Sequence, residues 1–293
     1  MYWIIGVIGL VVVACIVPAI WVGLKLTHPI RKVVTNLPSD YGLAYSEVTF
    51  PSQEGDVLLS GWHMEASENR QELTVVFAHG YSGNRLEEGL PILSLAQSII
   101  SQGYDVLMFD FRNSGESGGK MTTVGYMEKQ DLLGAIQWAS RKAPHHRIVL
   151  VGYSMGAMTS LLAAAEDKRV AGVIADSPFS QLRSYLSANL SYWSGLPKFP
   201  FTWLIMVILP LITGIKEKQV DGIKAVNRIF PRPILFVHSD GDEAIPSSES
   251  EKLWQTHPNT FEFWRTQDAP HVGTYRLQPV EYTNKMLKFL RNL

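Results

Sequence analysis

A single cysteine, Cys15, stands among 293 residues, so no disulfide can close within the chain. A bias of charge is equally absent. The 26 Lys and Arg against 27 Asp and Glu leave a formal net charge of −1. Without a strong field of one sign, electrostatic capture of nucleic acid is not expected. The chain also lacks internal repeats, low-complexity tracts and long runs of like charge. No His, Cys and Asp cluster has metal-ligand spacing, so neither a metal nor an organic cofactor is expected. What remains is a chain with 46% apolar residues, long enough to bury one large core.

The first feature present is a run without any charge from 2 to 24, YWIIGVIGLVVVACIVPAIWVGL. As a helix at 1.5 Å per residue it would be about 34 Å long, enough to cross a bilayer core. Trp3 and Trp21 lie near its ends, where amphipathic rings favour the interface. No Lys or Arg precedes the run, it is long for a signal peptide, and no A-x-A site follows, so a retained single-pass anchor over 1–25 is expected. Lys25, Arg31 and Lys32 follow it, and the positive-inside rule then favours a cytoplasmic domain on a cell membrane. Residues 26–45, with Pro29, Pro38 and Gly42, read as a connector to a domain over 46–293.

Within that domain, Val- and Ile-rich runs alternate with amphipathic ones. The pattern predicts strands over 47–50, 57–63, 73–78, 104–109, 147–153, 170–175, 233–238 and 260–264. Helices are predicted over 86–102, 124–142, 154–166, 247–255 and 279–292. Such alternation gives an α/β fold with a mainly parallel central sheet flanked by helices. The close spacing of the first two strands predicts an antiparallel hairpin at one edge. The rhythm breaks at about 178–229, an aromatic-, Ser- and Pro-rich stretch containing FPFTWLIMVILPLITGI, which reads as a helical cap insertion. Pro210 and Gly214 interrupt this run, leaving a lid or core helix and a membrane-dipping face both open.

Four short segments carry chemistry. RIVLV runs into Gly152-Tyr153-Ser154-Met155-Gly156 and then an Ala/Leu-rich helix, a G-x-S-x-G turn with a strand before and a helix after. Small residues two positions either side of the serine let strand and helix approach on a strained turn that projects its hydroxyl. Strand 73–78 ends in His79-Gly80-Tyr81-Ser82-Gly83, and the Tyr81 and Met155 amides could face a developing oxyanion. His79 reads as an anchor for that loop. After strand 233–238, His238-Ser239-Asp240-Gly241-Asp242 offers Asp242 as a carboxylate, with Asp240 bonding to nearby turn amides and Asp176 as the runner-up. Of the two histidines downstream, His271 follows the last strand, whereas His257 precedes it. The His145-His146 pair falls at the opposite end of the sheet and reads as solvated.

With HGYSG, GYSMG, SDGDEAIP and APHVG in this order, the chain resembles the α/β-hydrolase superfamily from about Glu47 onward. A fifth segment, DFRNSGES, is similar to that family's D-x-R-G-x-G-x-S loop, with Asn113 in place of the usual glycine, and implies a structural role. Ser239 stands where many members have glycine. The resemblance is greatest to bacterial membrane-anchored hydrolases grouped with serine-aminopeptidase-like and lysophospholipase-like members. It implies Ser154 as nucleophile, Asp242 as acid, His271 as base, and an acyl-enzyme route needing no cofactor. The expected substrate is a hydrophobic, lipid-like acyl ester. An amide or peptide substrate, or an inactive binding module on the same fold, are the alternatives. Dehalogenase and epoxide-hydrolase chemistry call for an aspartate where Ser154 stands.

Overall fold

The structure, a computed structural model, describes residues 2–293; Met1, the first residue of the expected anchor, lies outside them. The apolar runs pair into one eight-stranded sheet: β1 (Ser46–Pro51), β2 (Leu58–Met64), β3 (Leu73–Ala78), β4 (Asp105–Phe109), β5 (Arg147–Tyr153), β6 (Val170–Asp176), β7 (Ile234–Ser239) and β8 (Glu262–Thr266). The order is β1-β2-β4-β3-β5-β6-β7-β8. β2 runs antiparallel to both neighbours, and the other pairs are parallel. This is the expected fold class, with the expected edge hairpin.

Strand alternation divides the core into two layers. Val76, Leu107, Leu150 and Val173 point to one face, where α3 (Glu128–Lys142), α4 (Met155–Glu166), α7 (Gly222–Ile229) and α8 (Ser248–Trp254) cover them. Val75, Val106, Val149 and Ile174 point to the other, under α2 (Ile92–Ile100), the short α9 (Thr274–Leu277) and α10 (Pro279–Arg291). Burial on both faces explains why these strands read as continuous apolar runs rather than alternating ones.

Two helices begin later than their apolar pattern suggests. α2 starts at Ile92, not 86, because Pro91 disfavours helical backbone in the residue before it. α3 starts at Glu128, not 124. There Val124 and Gly125 take positive φ, and the Glu128 carboxylate accepts from the Thr123 and Gly125 amides, closing the turn ahead of the helix.

The Asp110–Ser117 loop is tied down by buried charge. Asp110 accepts from the Arg85 guanidinium at 2.5 Å and from the Arg85 and Glu116 amides, while Arg112 pairs with Asp131 at 2.7 Å. Asn113 takes φ +57°, which is why a glycine suits this position. The loop is structural, in line with its expected role.

Between β6 and β7 the chain forms α5 (Leu182–Ser194), a short π-helical turn (Lys198–Thr202), α6 (Trp203–Thr213) and a 3₁₀ turn before α7. The long apolar run is therefore broken, and α5 meets the following segment at a 113° bend. At the other end of the sequence, α1 (Tyr2–Thr27) stands clear of the protein over 2–10. Its last turns dock: Ala19 and Val22 are buried with Leu190 and Ile205. The connector is pinned as well. Arg31 donates to the Ser117 and Gly119 carbonyls, and Asn84 donates to those of Lys32 and Val33.

Replacing Asp110 with Ala strands the buried Arg85 charge and two amides. It is expected to cost about 3–5 kcal/mol in a urea unfolding measurement, with Asp110→Asn costing less. A loss under about 1 kcal/mol would show that Glu116 alone satisfies Arg85.

Candidate active site

Sheet register brings four loops to one rim. Ala78 lies opposite Gly152, Tyr153 opposite Asp176, and Ser239 opposite Thr266, so the segments that follow β3, β5, β7 and β8 all leave the same edge. In parallel sheets this carboxyl edge is where ligands bind.

Ser154 sits at φ +52°, ψ −115°, between β5 and α4. A methyl group on Gly156 would lie 2.5 Å from the Ala78 carbonyl carbon, and one on Gly152 would lie 2.5 Å from the Gly156 carbonyl carbon. Only glycine fits either place, and the strain is held by the Ser154 amide, which donates to the Asp176 carbonyl at 2.8 Å. Ser154 thus caps the N-terminal end of α4 with its hydroxyl directed at the base loop.

There the Ser154 hydroxyl donates to His271 Nε2 at 2.8 Å, and His271 Nδ1–H donates to Asp242 Oδ2 at 2.6 Å. This tautomer follows because a carboxylate can only accept. Asp242 is held from three sides: the Ala244 and Ile245 amides donate to Oδ1 at 2.9 Å each, and His238 Nε2 lies 3.2 Å from Oδ2. Burial alone would raise this carboxyl. The hydrogen bonds from His238 and His271, with the Ile245 amide, outweigh it and hold the group well below the usual carboxylate range.

The HGYSG loop lies across from Ser154. His79 Nδ1–H donates to the Gly80 carbonyl and its Nε2 accepts from the Phe111 amide, so the buried ring braces the loop. Among the described residues, the Tyr81 and Met155 amides have no protein acceptor.

Other candidates lie elsewhere. Asp176 accepts from Ser177 and Tyr282 and makes no bond to His271. Asp240 does not bond to turn amides as expected; its carboxylate takes Ser247, Arg265 and Gln267 side chains, because β8 brings Arg265 and Gln267 alongside it. His257 stacks on Phe230, and of the His145-His146 pair only His145 is exposed, His146 lying against Thr74.

Several residues gave no signal in the sequence. His238 is fully buried, bonded to Ser250 and the Ile245 carbonyl. Tyr185 donates to the Ala244 carbonyl and receives the Trp193 indole N–H, tying the α5 cap helix to the acid loop. Glu87, one turn beyond HGYSG, accepts the Gly80 amide at 2.5 Å without a basic partner on its carboxylate. Burial pushes its carboxyl up to about 8; the Gly80 bond opposes this and the nearby Asp176 adds to it. Burial likewise raises Asp176 to about 6.

Ser154 floors a cleft of about 80 Å³ walled by Leu26, Tyr81, Phe179, Leu186, Leu190 and Trp193. Leu26 belongs to α1, and the Tyr81 hydroxyl donates to its carbonyl at 2.6 Å. Larger recesses on the surface do not include Ser154.

A family model described as alpha/beta hydrolase fold matches residues 74–203. The chain is 28% identical to the uncharacterized protein YqkD of Bacillus subtilis over 80% of its length and 76% of that protein's. It is 24% identical to the lysophosphatidylserine lipase ABHD12 of Xenopus tropicalis, over 74% of this chain and 59% of that one. Among solved structures, an esterase of Pyrococcus furiosus, Pf2001, superposes with a TM-score of 0.74 at 28% identity, covering 92% of this chain and 98% of its own.

A carboxyl raised on folding makes the native state bind a proton that the unfolded chain has lost. Its stabilising contribution is present below about 4.5 and fades as pH rises towards 8. Glu87→Gln is therefore expected to shrink the fall in Tm between pH 5 and pH 8, leaving the slope from Asp176 and from Asp131, which burial raises to about 7. Identical slopes in the two proteins would show that Glu87 is ionised throughout.

Proposed function

We propose that this chain of α/β-hydrolase fold is a serine hydrolase of hydrophobic carboxylic esters, held at a membrane by α1. The observation that carries this reading is the unbroken hydrogen-bonded row Asp242–His271–Ser154 at the floor of an apolar cleft. Similarity to an esterase and to a lysophospholipid lipase supports the ester class.

In this reading His271 Nε2 takes the Ser154 proton as Oγ attacks the ester carbonyl, and Asp242 holds the ring in the required tautomer and stabilises the imidazolium. The carbonyl oxygen becomes anionic facing the Tyr81 and Met155 amides, aided by the N-terminal end of α4. Loss of one such donor typically costs about 3–4 kcal/mol of transition-state stabilisation. The intermediate expels the alcohol, which leaves with the proton from His271, and Ser154 carries the acyl group. Water then gives a proton to His271 and attacks the acyl carbonyl, the carboxylic acid departs, and Ser154 regains its proton. The apolar walls exclude water and suit an acyl chain better than a charged peptide terminus. Lys25 in the last turn of α1, with Arg31 and Lys32 in the connector after it, supports a cytoplasmic domain.

Ser154→Ala is expected to lower hydrolysis of a chromogenic acyl ester by at least about 10³-fold and to abolish fluorophosphonate labelling. Labelling that persists in this variant would refute the nucleophile. On the wild type, a series of esters of increasing acyl length, beside aminoacyl anilides, should show kcat/KM rising with chain length. A preference for acetyl esters or for the anilides would overturn the lipid-like substrate.

A further inference from the structure

The last turns of α1 present an inward stripe at helical spacing: Ala19, Val22, Gly23, Leu26 and Thr27. Small residues allow close approach, and a methyl group on Gly23 would already meet Leu209 of α6 at 3.2 Å. Ile205 of α6 and Leu190 of α5 fill the remainder of this contact. α6 is thereby fixed at the depth of residues 19–23 of α1, the part that a span of about 20 residues beginning near residue 2 brings to the membrane interface.

On its other side α6 is bare. Trp203, Val207 and Leu211 follow one another at i, i+4 and i+8, all exposed, with Leu211 at 80%, and Phe199 precedes them at 85%. On α1, next to which α6 packs, Val17, Trp21 and Leu24 are exposed as well. Charge is arranged to match. No Asp or Glu occurs over 177–216 or over 1–39, and the charged residues there are all Lys or Arg. Lys25 lies 5.4 Å over the Trp21 ring, an arrangement suited to the boundary between acyl chains and head groups.

We propose that the outer face of α6, with Phe199, lies in the leaflet that holds the C-terminal turns of α1 and docks the domain on an anionic lipid bilayer, so that the Leu26-walled cleft takes its ester from that leaflet. The proposal rests on the reading of α1 as a retained anchor. The anchor thus does two things: its outer half holds the chain in the bilayer, and its inner end is a wall of the cleft. The Tyr81 hydroxyl bond to the Leu26 carbonyl joins that wall to the oxyanion loop. The Thr122 amide, donating to the Thr27 carbonyl at 2.7 Å, fixes it to the sheet domain.

The test uses the full chain, with Cys15→Ser to remove the native thiol, reconstituted in phosphatidylcholine–phosphatidylglycerol vesicles. An environment-sensitive nitrobenzoxadiazole label is placed at Leu211→Cys and, as a control, at Glu262→Cys on β8. The label at 211 is expected to shift its emission to the blue and to be quenched several-fold more by doxyl-labelled lipid than the label at 262. Emission at 211 like that in water overturns the proposal. So does a blue shift that doxyl lipid leaves unquenched, which would mark cover by protein such as a second copy. Neither readout needs turnover, so failure of the hydrolase reading would leave this result standing. Where activity is measured, the Trp203→Asp, Leu211→Asp variant is expected to lose about tenfold on a long-chain ester carried in vesicles and less than about twofold on a soluble short-chain ester. Unchanged hydrolysis of the vesicle-borne ester would also overturn it.

Discussion

A methyl group at position 156 would lie 2.5 Å from the carbonyl carbon of Ala78, so α4 can reach the end of β3 only with glycine there. That closeness sets the geometry of the rim. It brings the start of α4 beside the HGYSG loop, so that Met155 and Tyr81 both lie next to the turn that carries Ser154. It also fixes the Ser154 backbone at positive φ, with the Asp176 carbonyl restraining it from β6. The remaining partners arrive through the register of β6, β7 and β8, which presents Asp242 and His271 at the height of the hydroxyl. A slip of one residue in any of these pairings would turn the following loop to the opposite face.

The carboxyl groups around the rim are divided by environment. Asp242 is surrounded by donors, two amides and two imidazoles, and stays ionised. Glu87 and Asp176 are enclosed with few donors, and burial pushes both towards the neutral acid. The division matters for the proposed reaction. One fixed negative charge next to His271 stabilises the imidazolium, whereas another close to Gly80 would oppose an anionic oxygen at the adjacent Tyr81 amide.

The hydrogen-bonded row of Ser154, His271 and Asp242 could be anticipated from short motifs. Ser154, Asp242 and His271 each sit in a loop whose composition marks it, and their order along the chain arranges them around one sheet. The strand pattern was equally open to reading, since burial on both faces leaves long apolar runs. Helix starts were less so. Apolar periodicity extends back through Leu86 and Val124, but Pro91 and the positive φ at Val124 decide where backbone hydrogen bonding begins. Supporting contacts were hidden altogether: His238 beneath Asp242, Glu87 behind Gly80, Tyr185 on the Ala244 carbonyl and Leu26 against Tyr81. Two of these join residues far apart, 55 positions between Leu26 and Tyr81 and 59 between Tyr185 and Ala244, and no local pattern announces such a meeting.

The bond from the Tyr81 hydroxyl to the Leu26 carbonyl makes the end of α1 part of the cleft rather than a leash on it. A shortened chain starting after the helix, the usual route to a freely soluble enzyme, would unroof the cleft on one side and leave the Tyr81 ring without its brace. Water would reach the serine along the missing wall. Substrate preference measured on such a fragment would describe a different pocket from the one that α1 helps to wall.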